Sequence, residues 1–313
     1  MSLLAEMRKR AAQAPKRIVL PEGTDKRIKK AKDYITEHKI ADTIVIKNVE
    51  KTDQFDRIVD EFSKICAEHK KSMAKEDIVK LFTKNTVYIA AMMVKLNMAD
   101  GFVAGASHKT SDVARAALKS LSIDETIKVM SGAFIIEVPD SSYGHKGAFV
   151  FSDCGIVPFP TKEQLAGIAI AAAGLAAKIM SARPKVAMLS YSTKGSAATH
   201  DLDLIREAVE LVKRSHPQID IDGELQVDAA LDHAAAEIKH SISGSSVAGM
   251  ANVLIFPNLD SGNIAYKLIQ RLAKARAVGP MLLGLERPCC DLSRACSVED
   301  VIDAVALTGV MAQ

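Results

Sequence analysis

The sequence predicts an α/β protein of two domains, with parallel sheets flanked by helices and an active-site cleft between the domains. Three observations point there. Short β-branched runs alternate with longer helical patterns along most of the chain. The 313 residues are enough for about two domains, each with its own core. The segments that follow the strand-like runs are rich in Gly, Ser and Thr, as expected where ligands meet the carboxyl ends of parallel strands.

In chain order, RIVL at 17–20 reads as a strand and the charged stretch 25–38 as a helix. A second strand at 43–46 precedes a helix over 53–68, and a third at 101–104 leads into a helix over 111–120. The rhythm then breaks. Residues 127–138 and 147–152 read as consecutive strands around the turn-rich 139–145, which predicts a hairpin or an antiparallel edge. Alternation resumes with strands at 187–190, 253–256 and 281–285, followed by helices over 201–213, 264–275 and 298–310. The expected division is 1–126 with 284–313 as a first α/β domain carrying the C-terminal motif, and 127–283 as a second.

Composition excludes several classes. Lys plus Arg (41) barely exceeds Asp plus Glu (38), so nothing in the net charge of +3 points to nucleic acid. The uncharged stretch 241–259 is broken by Ser, Gly, Asn and Pro, and the apolar 164–177 is shorter than the roughly 20 residues of a membrane span. The first twenty residues carry scattered charges rather than a signal-peptide pattern. The five cysteines have no paired C-x-x-C spacing, which predicts a reduced, cytoplasmic setting. His233, Glu237 and His240 could share a helix face, but they do not match H-E-x-x-H, and no metal site is expected. Cys289 and Cys290 read as buried small hydrophobes.

Four strand-loop-helix junctions carry polar chemistry. From Asp291 to Asp300 the sequence DLSRACSVED places a hydroxyl (Ser293), a guanidinium (Arg294), a thiol (Cys296) and a carboxylate (Asp300) close together at a helix entrance. Ser297 and Asp300 also fit the S-x-x-D capping box, a purely structural use of the aspartate. From Asp100 to Arg115, Gly105 permits close backbone approach, Ser107 and Thr110 offer hydroxyls, and Arg115 falls in the following helix; Thr110 or Ser111 would be its N-cap. From Tyr191 to Ala197, Ser192, Thr193, Lys194, Gly195 and Ser196 suit phosphate or pyrophosphate, or form a plain polar turn. This is not a P-loop, and no G-x-G-x-x-G occurs, so nucleotide hydrolysis and ordinary dinucleotide binding lose support. PEGTD at 21–25 reads as a turn plus N-cap.

Taken in order, VLPEG from Val19, MMVK from Met92, ADGFVAGA from Ala99, FSDCG from Phe151, STKGSA from Ser192, GELQVDAAL from Gly223, FPNLDSGN from Phe256 and DLSRACS from Asp291 resemble the phosphate acetyltransferase (phosphotransacetylase) family nearly end to end. The chain departs from that pattern at Cys290 and Ala295, where the family has Asn and Gly, and at Ala116, where it tends to have Pro. It also lacks the Arg of an L-R-K-H-K-G segment, reading AEHKKSM from Ala67, so that Lys70 or Lys71 would supply the charge.

The resemblance implies a homodimer that moves an acetyl group reversibly between acetyl phosphate and coenzyme A, the latter a substrate, with no cofactor or metal in the chemical step. It implies Asp300 as general base toward the thiol, Ser293 as donor to the acetyl carbonyl oxygen, and Arg294 with Arg115 on the phosphoryl group. Ser107, Thr110 and the residues from Ser192 to Ser196 are the expected phosphate and coenzyme A contacts. Cys296 is the rival nucleophile, disfavoured because the resemblance assigns a base rather than a covalent cysteine. Alternatives are a phosphate butyryltransferase, a non-catalytic acetyl-CoA-sensing module, and a two-domain NAD(P)-linked decarboxylating dehydrogenase, whose acidic metal cluster is missing from the sequence.

Overall fold

A computed structural model describes residues 2–197, 199–239 and 241–313. It divides into two compact units, one of 3–122 with 285–313 and one of 123–284.

The first unit contains α1 (Leu3–Gln13), β1 (Arg17–Leu20), α2 (Lys26–Glu37), β2 (Asp42–Val45), α3 (Phe55–Glu68), α4 (Lys75–Lys84), α5 (Val87–Lys95), β3 (Gly101–Ala104) and α6 (Thr110–Ser120), with β10 (Cys289–Asp291) and α12 (Val298–Ala312) returning from the far end of the chain. Its strands run in the order β2-β1-β3-β10, and every pair is parallel. Short strands buried on both faces explain the near-continuous apolar runs. β1 has Ile18, Val19 and Leu20 fully buried, and β3 is buried throughout. The helix α5 is apolar almost all round, with Val87 to Val94 buried, which is why it carries no amphipathic signal to betray it in the sequence.

The second unit contains β4 (Ser131–Glu137), β5 (Ala148–Ser152), α7 (Lys162–Ile179), β6 (Lys185–Leu189), α8 (His200–Ser215), β7 (Asp220–Leu225), α9 (Val227–Leu231), α10 (His233–Ile238), β8 (Val253–Ile255), α11 (Leu259–Leu272) and β9 (Arg276–Leu283). The order is β9-β4-β5-β8-β6-β7. The β4–β5 hairpin is present, but β4 has antiparallel neighbours on both sides, β5 and β9, so it lies within the sheet of this unit rather than at an edge. The remaining pairs are parallel. The apolar stretch anticipated over 164–177 is α7, whose Ala- and Gly-rich sequence packs tightly; Thr161 and Gln164 close its capping box. Among the described residues no helix is long and apolar enough to cross a membrane.

One local reading needs correction. The strand ending near 285 does not run into the C-terminal motif. β9 ends at Leu283, and the short β10 intervenes, pairing with β3 at Cys289–Phe102, Cys290–Val103 and Asp291–Ala104. Both cysteines are buried there.

Candidate active site

In the first unit, three loops at the carboxyl ends of β1, β3 and β10 are knitted together by side chains. Glu22, just after β1, is buried. Its carboxylate accepts the backbone N–H groups of Gly105 (3.0 Å), Ala106 (2.8 Å), Ser107 (2.7 Å) and His108 (3.0 Å). It also accepts the Ser107 hydroxyl (2.9 Å) and pairs with His108 Nδ1 (2.7 Å). Burial works to raise its pKa, but the bonds from His108, Ser107 and Ala106 outweigh it and hold Glu22 below the ordinary glutamate value. Gly105 begins the loop at φ +111°, a region that disfavours side chains. A Cβ there would come within 2.3 Å of Asp291 Oδ1.

Asp25 caps α2 through the Arg27 N–H and also holds the Arg27 guanidinium at 2.7 Å. That guanidinium then donates to the carbonyls of Ala106 (2.6 Å), Arg294 (2.7 Å) and Cys296 (3.0 Å). Leu292 N–H donates to the Ala104 carbonyl at 2.7 Å, so the last loop is anchored at its start and its end.

On that loop Ser293 and Arg294 are exposed. The Ser293 carbonyl accepts the Cys296 N–H at 2.8 Å, closing a turn. Among the described residues, nothing hydrogen-bonds to the Arg294 guanidinium. The capping box forms: Ser297 N–H donates to Asp300 Oδ2 (2.8 Å), and Asp300 N–H donates to Ser297 Oγ (3.1 Å). Asp300 is half-buried, and among the described residues its Oδ1 takes no hydrogen bond. The cap therefore uses one carboxylate oxygen and leaves the other.

The start of α6 differs from expectation. Lys109 is the N-cap and offers no side-chain cap, so the first N–H groups of the helix are open toward an anion. Thr110 Oγ1 instead donates to Asp291 Oδ2 at 2.6 Å. Arg115 is exposed and 3.1 Å from Asp112. Cys296 is buried, and burial pushes its thiol up to about 11.

The loop after β6 in the second unit follows a parallel plan. The Glu224 carboxylate, on the neighbouring β7, accepts Gly195 N–H (2.7 Å) and Ser192 Oγ (3.2 Å). Arg206 of α8 holds the same carboxylate with Nε and Nη2, both at 2.9 Å. Burial opposes ionisation of Glu224, but Arg206 and Gly195 overcome it and bring the group down to about 2. Thr193 exchanges hydrogen bonds with Gln226, Ser196 Oγ accepts the Thr193 N–H at 3.0 Å, and the Lys194 ammonium is paired with Asp222. Ser192 and Thr193 are buried with their hydroxyls spent inside the loop, while Lys194, Gly195 and Ser196 face solvent.

Sequence reasoning thus found the loops but missed the groups that hold them: Glu22, Arg27 and Asp291 in one unit, Glu224, Arg206 and Asp222 in the other. The available signal was a carboxylate at the end of a strand adjacent to the one bearing the loop, and adjacency is invisible without topology. Of the histidine-glutamate face considered for metal, His240 lies outside the described residues; among those described, no group of three His, Cys, Asp or Glu is arranged to hold an ion.

Comparison with known proteins places these features. A family model described as "Phosphate acetyl/butaryl transferase" matches residues 2–309. Phosphate acetyltransferase of Thermoanaerobacterium thermosaccharolyticum is 42% identical over 335 residues, covering 100% of both chains. That of Acetivibrio thermocellus is 43% identical over 330, covering 100% of this chain and 99% of the relative. The crystal structure of a phosphotransacetylase from Streptococcus pyogenes superposes with a TM-score of 0.90 at 35% identity, covering 100% of this chain and 99% of that one.

Proposed function

Because the chain belongs to the phosphate acetyl/butyryl transferase family, we propose that it transfers acetyl between acetyl phosphate and coenzyme A, with the C-terminal loop of the first unit as the reacting centre. The observation that carries this reading is the pairing of exposed Ser293 and Arg294 with an Asp300 whose Oδ1 the cap leaves unused, all on a backbone pinned by Arg27 and Ala104.

A thiol at neutral pH is mostly protonated, and the thiolate is the nucleophile. Asp300 Oδ1 takes the proton as the coenzyme A sulfur attacks the acetyl carbon. Ser293 donates to the carbonyl oxygen while charge gathers there. The sulfur–carbon bond forms, the carbon–oxygen bond to the phosphoryl group breaks, and the leaving phosphate departs against Arg294 and Arg115, whose planar guanidinium groups match two oxygens at once. The open N–H groups at the start of α6, near Ser107, supply further anion contacts. The exposed Lys194, Gly195 and Ser196 are assigned to coenzyme A, with buried Ser192 and Thr193 shaping their loop.

No resident cofactor or metal takes part in this scheme. Adding a chelator is expected to leave the rate unchanged, and loss of activity that returns with a divalent ion would remove it. The chain is also proposed to pair with a second copy. Ile264, Leu268 and Leu272, spaced one turn apart on α11, are all exposed apolar side chains, the last at 78%. A cytoplasmic setting is supported by five cysteines that are all free.

The test of the reaction is thioester formation from acetyl phosphate and coenzyme A, with propionyl and butyryl phosphates alongside. Acetyl phosphate is expected to turn over fastest, and Asp300→Asn to lower kcat by about 10²- to 10⁴-fold while both substrates still bind. Full activity in that variant would end the assignment of the base.

A further inference from the structure

Among the buried ionisable groups that the mechanism above does not use, Asp291 stands next to the proposed site. Asp291 closes β10 two residues before Ser293 and is fully buried. Its Oδ2 accepts the Thr110 hydroxyl at 2.6 Å, and among the described residues its Oδ1 takes no hydrogen bond, the nearby Leu292 N–H being directed to the Ala104 carbonyl. A buried polar atom left unpaired is uncommon, and its desolvation is unfavourable. The packing allows no slack, since a Cβ on Gly105 would meet Asp291 Oδ1 at 2.3 Å and the Leu292 backbone at 2.5 Å.

Resting on the acetyl-transfer reading, we infer that Asp291 is a positioning residue, clamping the entry of the Ser293–Arg294 loop to the start of α6 through Thr110 Oγ1. The clamp joins two parts of the proposed site that share no other side-chain bond among the described residues: the loop bearing Ser293 and Arg294, and the helix whose first N–H groups and Arg115 are proposed to face the anion. Thr110 acts through this bond, since its hydroxyl is committed to Asp291.

The groups facing Asp291 are Glu22 from the loop after β1, His108 from the loop after β3, and Cys289 and Cys290 on its own strand. Burial, with a smaller contribution from Glu22, pushes the Asp291 carboxyl up to about 7, against the pull of the Thr110 bond, the nearby Leu292 N–H and His108. Either protonation state keeps an acceptor for the Thr110 hydroxyl, so the clamp rests on geometry rather than on charge.

The experiment measures kcat and KM for both substrates between pH 6 and pH 9 in wild type and four variants, with folding checked by circular dichroism. Asp291→Ala and Thr110→Val are each expected to lower kcat by about 10- to 100-fold, because small displacements of reacting groups are expensive, with KM changing much less. Their combination is expected to lose no more than the worse single variant, since both break one bond. Asp291→Asn, which keeps an acceptor for Thr110, is expected to retain most of the wild-type kcat where Asp291→Ala does not.

Additive losses, an unaffected Asp291→Ala, or an Asp291→Asn variant that loses as much kcat as Asp291→Ala would overturn the inference. Should Asp291→Ala fail to fold, Thr110→Val alone decides, because it spares the carboxyl yet must still lose kcat. Wild type without acetyl transfer would remove the functional reading itself, whereas an active wild type with indifferent variants removes only the clamp.

Discussion

The loop after β3 and the loop after β6 are built on one plan and differ in how the plan is charged. Each is Gly- and Ser-containing, each follows a parallel strand, and each wraps its N–H and hydroxyl groups around a carboxylate from the adjacent strand or its end: Glu22 for 105–108, Glu224 for 192–197. The second carboxylate is neutralised by a two-point bond to Arg206. Among the described residues no guanidinium bonds to the first, which relies on four backbone N–H groups, the Ser107 hydroxyl and His108, with Arg27 acting only at longer range, and its neighbour Asp291 is another carboxyl. A loop whose composition suits an external anion can be filled by an internal one, and the residues left exposed, rather than the whole motif, are then available to a ligand.

If that comparison is right, the two loops should respond differently to substitution. The largest effects belong to the first unit. Asp300→Asn removes a general base, a change typically worth about 10²- to 10⁴-fold in rate. Ser293→Ala removes one donor to the developing oxyanion, worth about 10²- to 10³-fold in kcat. Lys194→Ala in the second loop breaks only the pair with Asp222 and the proposed coenzyme A contact, so it should raise KM for coenzyme A and spare kcat. Steady-state kinetics on the three variants sorts them. A kcat collapse in Lys194→Ala with an unaltered KM would erase the distinction between the loops.

Charge also separates the units in pH. Asp291 rises from an ordinary 3.8 to about 7 in the folded chain. The folded state therefore holds a proton that the unfolded chain has lost, and stability falls as pH rises from about 4 to about 7. Asp291→Asn escapes this penalty, on the order of 4 kcal/mol at pH 8 from the linkage relation, and should melt higher than wild type there and alike near pH 4. Glu224 is depressed to about 2 from 4.5. Its contribution is present above pH 4.5 and is lost as pH falls toward 2; because Arg206 is partly exposed, solvent screening reduces it to about 2 kcal/mol. Arg206→Met should shift acid unfolding of the second unit to higher pH, and an unchanged acid limb would count against the pair as the loop's anchor.

Much of this arrangement was legible in the sequence, and its limits are physical. Strand-loop-helix junctions announce themselves through local chemistry, so the DLSRACS loop and its capping box could be read directly, as could the hairpin around 139–145. Apolar α5 could not, because a helix buried on every side has no period of polarity. β10 is three residues long, too short to show a period of its own, and is defined by its pairing in the sheet, with β3 among its partners. Glu22 looked like part of a turn for the same reason. Its role is set by a loop more than eighty residues away in sequence, which only the β1–β3 pairing brings near. The sequence suggests Thr110 or Ser111 as the N-cap of α6, but Lys109 holds that place and the Thr110 hydroxyl reaches Asp291, 181 residues further on, a contact no local pattern shows.

The smallest expected effect concerns the group most easily mistaken for the nucleophile. Cys296 sits three residues from Ser293, and its sulfur lies 3.5 Å from an Arg27 nitrogen, an environment that by itself would favour a thiolate. Burial dominates, however, and the thiol is pushed up to about 11, with Asp300, Asp25 and Glu22 adding to the rise. At neutral pH that leaves only about one thiolate in 10⁴, a poor population from which to run a covalent route. Alanine replaces the –SH by hydrogen, removing one sulfur atom and its weak contact with Arg27. Cys296→Ala should therefore retain most of the activity and the wild-type pH profile, and mass spectrometry of the wild-type protein quenched with acetyl phosphate should find no acetylated Cys296. A stable acetyl adduct there, with loss of turnover in the alanine variant, would move the chemistry from Asp300 to the cysteine and make the Arg27 contact an activating one.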